Sequence, residues 1–213
     1  MPRGIQDFVH LHVHSCYSFH DGADTPATLV ERAARSGCRA LALTDTNGLY
    51  GAVPFVKAAG EAGLTPILGI DLDGGRRDGP RAVVLGRGKE GYSALCRLAT
   101  ARQLTWSGKD GKEPLPPAAR RHLVKGLAGE AGRIVALADS PELLRDLSEV
   151  LPPGSLYGEL VYTGDDASAR RCRMVIETCN ALRRPVTVTN AVRFAAPGGF
   201  EVHRALRAVG ENG

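Results

Sequence analysis

An α/β fold, a distorted seven-stranded (β/α)7 barrel in a single domain spanning residues 1–213, is predicted by three observations. Short apolar, β-rich runs alternate with helical patterns along the chain, seven such runs can be counted, and polar, chemistry-bearing residues fall at the carboxyl ends of several of them. Repeated β-α units require parallel strands joined by right-handed crossovers, which leaves an open doubly wound sheet or a closed barrel. No G-x-G-x-x-G or G-x-x-x-x-G-K-[ST] follows any strand, which removes the usual nucleotide-binding reason for the open sheet. His12, His14, Asp45, Asp71 and Asn190 all lie at strand ends, and in a barrel those ends converge on the face where active sites are built.

The elements follow in order. Phe8 to Val13 is the first predicted strand, and Thr25-Pro26 then supplies an N-cap and a proline at the first position of a helix ending near Gly37. Ala40 to Thr44 is a buried-type strand, followed by a helix from about Ala52 to Ala62 that Gly63 stops. Pro66 to Leu72 and Arg81 to Gly86 are the third and fourth strands. Gly91 to Arg102 is a helix with Leu95, Leu98 and Ala99 on one face. Gln103 to Ala119 is polar and holds three prolines, so it reads as a loop or excursion, not a linker, because the alternation resumes after it. Strand Ile134 to Ala138, helix Pro141 to Val150, strand Leu156 to Val161, helix Asp166 to Leu182, strand Val186 to Thr189 and a helix from about Gly199 to Ala208 complete the series.

Composition limits the function classes. With 213 residues and 43% hydrophobic content the chain can bury a real core. The net charge of +4 is too small to mark a nucleic-acid surface by itself, although Arg170 to Arg207 is locally basic. The arginines at 170, 171, 173, 183 and 184 read as a solvated face ahead of a DNA track. No run approaches the roughly 18 apolar residues of a membrane span, and no signal-peptide run opens the chain, so a soluble, cytoplasmic protein without a membrane partner is expected. Five cysteines without a CxxC indicate neither a disulfide framework nor a zinc ribbon. Trp106 reads as a packing anchor ahead of a base-stacking platform.

Four of the six histidines, His10, His12, His14 and His20, lie within eleven residues. On an extended strand the first three share one face about 7 Å apart, and neutral imidazoles so spaced suit zinc, manganese or iron. The plainer reading is hydrogen-bonded rings filling a barrel interior. His20 and Asp21 follow the strand end within reach of the same place. Ser15 and Ser18 accompany the histidines without an acid-base-nucleophile pattern, which leaves them a hydrogen-bonding role.

The run from His10 to Gly22 (HLHVHSCYSFHDG) resembles the first motif of the polymerase and histidinol phosphatase (PHP) family, in the form found at the amino terminus of bacterial DNA polymerase III alpha subunits. The similarity continues through Leu41 to Asp45, Asn47 to Gly51 (NGLYG), Gly63 to Gly69, Lys89 to Tyr92 with Leu95 to Leu98, Leu127 to Glu130, and Val188 to Asn190 before His203. The resemblance implies the seven-stranded barrel, a carboxyl face binding up to three metal ions, and hydrolysis of phosphate esters, with 3′-to-5′ exonuclease proofreading in some polymerase subunits.

Several family ligand positions depart from the motif. A histidine expected after Asp45 is Thr46, the glutamate ending the third strand is Asp71, the fourth-strand histidine is Arg81, a cysteine is Gly126, and the final Asp-x-His is Ala191-Val192-Arg193. Guanidinium groups cannot ligate a cation and repel it. A full three-metal cluster is therefore not expected. Arg81 and Arg193 are expected to replace metal charge by pairing with Asp21, Asp45 or Asp71, or to contact phosphate. A residual site for one Zn or Mn ion is expected from His12, His14 and one of His20, Asp21 or Asp71. The resemblance implies as partners the remainder of a polymerase alpha subunit, a proofreading exonuclease subunit, and DNA through the parent protein. The alternative is a free-standing metal-dependent phosphoesterase or 3′-5′ exonuclease of the same family.

Overall fold

A computed structural model describes residues 8–76, 79–106 and 116–211. Its elements in chain order are α1 (Pro26–Arg35), β1 (Ala40–Leu43), α2 (Ala52–Glu61), β2 (Thr65–Asp73), β3 (Arg81–Gly86), α3 (Gly88–Ala101), a π-helical turn (Arg102–Trp106), α4 (Pro116–Gly129), β4 (Ile134–Ala138), α5 (Pro141–Val150), β5 (Leu156–Val161), α6 (Asp166–Leu182), β6 (Val186–Thr189) and α7 (Gly199–Glu211). The strand order is the chain order. Two compact units are formed, one from residues up to 69 together with those from 191 onward, the other from residues 70–190; β2 passes from the first into the second.

In the first unit, α1 begins as its sequence requires. The Thr25 hydroxyl accepts from the Thr28 backbone N–H at 3.2 Å, and Pro26 occupies a first-turn position where a missing N–H costs nothing. α1 and α2 bury Leu29, Val30, Phe55 and Ala59 against Leu41 and Leu43 of β1, with Val13, Cys38 and Leu64 completing the core. β1 pairs in parallel with the start of β2, Ala40 opposite Thr65 through Leu43 opposite Leu68.

The first of the seven expected strands is not a strand. Residues 8–13 make only two isolated parallel bridges, His10 to Leu41 and Val13 to Val192, so the described residues hold six strands. The ladder breaks because the Val13 N–H is taken at 2.8 Å by the Thr44 hydroxyl and not by a backbone carbonyl. Bonds from Ala42 N to His10 O and from Thr44 N to Val13 O on one side, and between 12–14 and Val192 on the other, keep the segment extended.

The second unit departs from the all-parallel expectation. β4, β5 and β6 are parallel to one another, but β3 and β4 are antiparallel, with Val83 opposite Leu137. Two helices, α3 and α4, lie between those strands, and an even number of helices brings the chain back to the end at which β3 finishes, so that β4 runs the opposite way. The expected excursion at 103–119 is thus divided. It opens as the π-helical turn that prolongs α3 and closes as the first turn of α4, while residues 107–115 and the Trp106 side chain lie outside the described residues.

α3 packs on β3 with no room for an added methyl. A Cβ on Gly91 would lie 2.5 Å from the Gly86 carbonyl carbon and 2.7 Å from Arg133 O, both rigid backbone. Gly91→Ala should therefore destabilise the chain by about 2 kcal/mol in urea unfolding, the usual range for forcing a methyl into a filled interior. A change below about 0.5 kcal/mol would show that the helix shifts freely. Arg184, following the left-handed Arg183 that ends α6, donates to Ser148 O (2.8 Å) and Leu151 O (3.0 Å) and so satisfies carbonyls at the end of α5. No helix among the described residues is long and apolar enough to cross a membrane.

Candidate functional site

The histidine segment is organised by one buried carboxylate. Asp45, 2% exposed just beyond β1, accepts from Ser15 N at 2.7 Å, Ser15 Oγ at 2.8 Å and Ser18 Oγ at 2.7 Å. Burial raises its pKa above the ordinary carboxylate range, and the three donors partly oppose that rise. Ser18 gives its only proton to Asp45, so its oxygen accepts from Thr46 N at 3.0 Å and from His14 Nδ1 at 2.9 Å. His14 therefore carries its proton on Nδ1, and its Nε2 accepts from His12 Nε2 at 2.8 Å. The tautomer of both rings follows from a chain of bonds ending on Asp45.

Those two nitrogens are the pair a zinc or manganese ion would take. Their 2.8 Å separation is that of a hydrogen bond, against about 3.3 Å for two nitrogens around one tetrahedral zinc. Taking up an ion would require the shared proton to leave and the rings to part by roughly half an ångström. The ring pair fits one ion in donor chemistry and burial, since His12 is 7% and His14 0% exposed.

The other expected ligands of this unit are placed differently. Asp21 Oδ2 lies 2.6 Å from Arg193 Nε and 3.7 Å from His14 Nδ1, and Arg193 Nη1 donates to Ala191 O at 3.0 Å. His203 Nδ1 donates to the Asp21 carbonyl at 2.6 Å. His20 is exposed, in a left-handed turn (φ 64°), and makes no hydrogen bond or ion pair among the described residues; it is not brought to His14. His10 packs edge-on against Phe8, with ring centroids 5.0 Å apart, and its ring is thus engaged away from the His12–His14 bond.

In the second unit Asp71, at the end of β2, is clamped by Arg81 at the start of β3. Nε reaches both carboxylate oxygens at 3.2 Å and Nη2 reaches Oδ2 at 2.8 Å, with the Asp71 side chain 5% exposed. Arg81 Nη1 also lies 3.7 Å from Asp73 Oδ2, and Arg102 pairs with Asp73 from the π-helical turn. Glu159 on β5 accepts from the Thr189 hydroxyl, and burial followed by the nearby Glu159 charge raises the pKa of Asp139, partly offset by Arg171. Sequence reasoning missed Asp73 and Arg102; the two-residue spacing of Asp71 and Asp73 on one strand face was the signal available for the first. Gly126 lies within α4, among helical residues and not at a strand end.

The family model described as the PHP domain matches residues 10–162, the stretch that carries the histidine pair, Asp45 and Asp71. The chain belongs to the PHP family. It is 35% identical over 221 residues to an error-prone DNA polymerase of Mycobacterium tuberculosis (strain ATCC 25618 / H37Rv), covering 95% of this chain and 20% of that protein. It is 30% identical over 217 residues to the DNA polymerase III subunit alpha of Buchnera aphidicola subsp. Acyrthosiphon pisum, covering 96% and 19%. This PHP chain thus spans about a fifth of the length of the curated relatives it matches. Among solved structures it resembles a Bifidobacterium adolescentis protein assigned as a metal-dependent phosphoesterase (TM-score 0.61, 16% identity, 90% of each chain). It also resembles an amidohydrolase from Chromobacterium violaceum with bound sulfate and no metal (TM-score 0.56, 17% identity, 89% and 88%). At those identities the likeness establishes the PHP-type α/β fold alone.

Proposed function

We propose that this chain is the amino-terminal PHP barrel of a DNA polymerase III alpha-like or error-prone polymerase, with a degenerate metal site and a supporting role toward the rest of the polymerase. The observation that carries the reading is the placement of guanidinium groups on carboxylates: Arg193 on Asp21 and Arg81 on Asp71. A carboxylate bonded to a fixed cation has lost much of its attraction for a second one, and the guanidinium adds repulsion of several kcal/mol at about 4 Å and an effective dielectric near 20. The relatives are polymerases about five times as long, which supports the remainder of such a chain, a proofreading exonuclease subunit, and DNA held through the parent protein as the partners.

A single Zn or Mn ion on His12 Nε2 and His14 Nε2 is the metal content compatible with this reading. It would supply Lewis-acid polarisation of a phosphate oxygen. His14 would be held in register by Ser18 and Asp45, and Asp21 would stay on Arg193.

The test is metal analysis of protein purified without chelator, paired with phosphatase and exonuclease assays in added Mn or Zn. One equivalent or less, released by His12→Ala, with no turnover above background, is expected. Two or three equivalents would sink the degenerate-site reading, and metal-dependent turnover abolished by His12→Ala would establish the phosphoesterase in its place.

A further inference from the structure

α2 is apolar on the face it turns to water as well as on the face it buries. Inward it packs Ala52, Phe55 and Ala59. Outward it presents Val53, 77% exposed, and Val56, 41% exposed, together with Pro54 and Gly60. Lys57 and Glu61 are the only charged residues among its ten, and both are exposed. A surface helix ordinarily carries a charged outer face, and one that is apolar nearly all round belongs in an interior or an interface.

Two observations on that face choose its occupant. Lys57 and Glu61 lie one helical turn apart, yet neither makes a hydrogen bond or ion pair among the described residues. Lysine four residues ahead of glutamate is the weaker order for a pair within one helix, so both charges stay available to a partner. Gly60 is a notch, because a Cβ there would meet nothing within 4 Å beyond its own helix backbone.

These features complement themselves. When a second copy of α2 is laid antiparallel on the first, with the two-fold axis between Ala58 and Ala59, each flank of the helix meets the same flank of its copy. On one flank Val56 falls over the other copy's Gly60, and on the opposite flank Lys57 falls beside the other copy's Glu61. Both pairs are four residues apart in sequence and are centred within one residue of the axis, so both form in one register. Each contact occurs twice. The parallel in-register arrangement would instead set lysine against lysine.

We infer that the outer face of α2 is the contact of a two-fold dimer, with a second copy of this chain as its occupant. One ten-residue helix offers less than the roughly 800 Å² per partner of a standard interface, so the dimer is a weak one. The contact lies wholly in the first unit and rests neither on the metal content of the histidine pair nor on the polymerase reading.

The test is sedimentation velocity of the 213-residue chain from about ten to several hundred micromolar, following the shift from 22.5 kDa toward twice that mass. Lys57→Glu should raise the dissociation constant roughly tenfold by setting a carboxylate against Glu61, and Lys57→Glu/Glu61→Lys should return it to within about threefold of the parent. Gly60→Leu should abolish association with an unchanged circular dichroism spectrum, because it fills the notch even though it adds apolar surface. A chain that stays monomeric at every concentration overturns the inference. So does a double variant that dimerises no better than Lys57→Glu, or a Gly60→Leu variant that associates as well as the parent or better, which would mark α2 as a face for some other protein. None of these outcomes alters the metal stoichiometry by which the proposed function is judged.

Discussion

Arg81→Ala should lower the stability of the chain by about 3 to 5 kcal/mol, the range for removing one partner of a buried ion pair. The guanidinium makes three hydrogen bonds to Asp71, whose side chain is 5% exposed, and stands within 3.7 Å of Asp73, 2% exposed. Its removal leaves the buried Asp71 carboxylate without this guanidinium, while Asp73 keeps Arg102. Urea unfolding followed by circular dichroism measures the loss. The double variant Arg81→Ala/Asp71→Asn should recover a substantial part of it, because the carboxylate charge goes with its partner. A single variant within about 1 kcal/mol of the parent would mean that solvent screens the pair and that it has no structural weight.

Asp45→Ala should destabilise the chain by about 3 kcal/mol, because three donors lose their acceptor at once and Ser15 and Ser18 are fully buried. Asp45 also leaves a signature in pH. Its pKa is raised in the folded chain by burial, so between the ordinary carboxylate value and the raised one the folded state binds the proton more tightly than the unfolded state does. Within that window Asp45 makes stability fall as pH rises. Below it both states are protonated and the residue contributes no slope. The urea midpoint of the parent minus that of Asp45→Asn, followed across mildly acidic pH, should therefore fall as pH rises through the window and stay level on either side; a difference that stays flat throughout would show that Asp45 titrates normally.

Much of this architecture is legible from residue patterns. Arg81–Gly86, Ile134–Ala138, Leu156–Val161 and Val186–Thr189 are strands, and Pro141–Val150 and Asp166–Leu182 helices, with the bounds that the residue patterns predict. Both helices also carry N-caps that those predictions do not include: Ser140 Oγ accepts from Leu143 N, and Asp165 accepts from Ser168 N, with hydrogen bonds holding the Asp165 carboxyl down to about 2. α4 is hidden because Pro116 and Pro117 read as loop residues, although prolines belong in a first helical turn. The first strand is hidden for the opposite reason. Its alternating sequence is ideal, and a single side-chain acceptor, Thr44 Oγ1, diverts the Val13 N–H.

At the candidate site, residue identity points to chemistry but not to partners. The i, i+2 rule sets His10, His12 and His14 on one face, yet the Nε2–Nε2 bond joins only the last two, and His10 turns to Phe8. Which carboxylate each arginine meets depends on contacts distant in sequence. Arg193 meets Asp21 because the segment 191–195 is stitched to residues 12–24 by His14 N to Val192 O, Ala23 N to Arg193 O and Ala195 N to Asp24 Oδ2. No local pattern encodes those bonds.

That stitching has a consequence for synthesis. The bonds from Ala195 to Asp24 and from His203 to Asp21 span 171 and 182 positions, and the whole second unit is encoded between their ends. A chain that emerges from the ribosome amino terminus first can complete its later-encoded unit while the earlier one still lacks its closing segment. The histidine segment is synthesised before the second unit, and the arginine that neutralises Asp21 only after it.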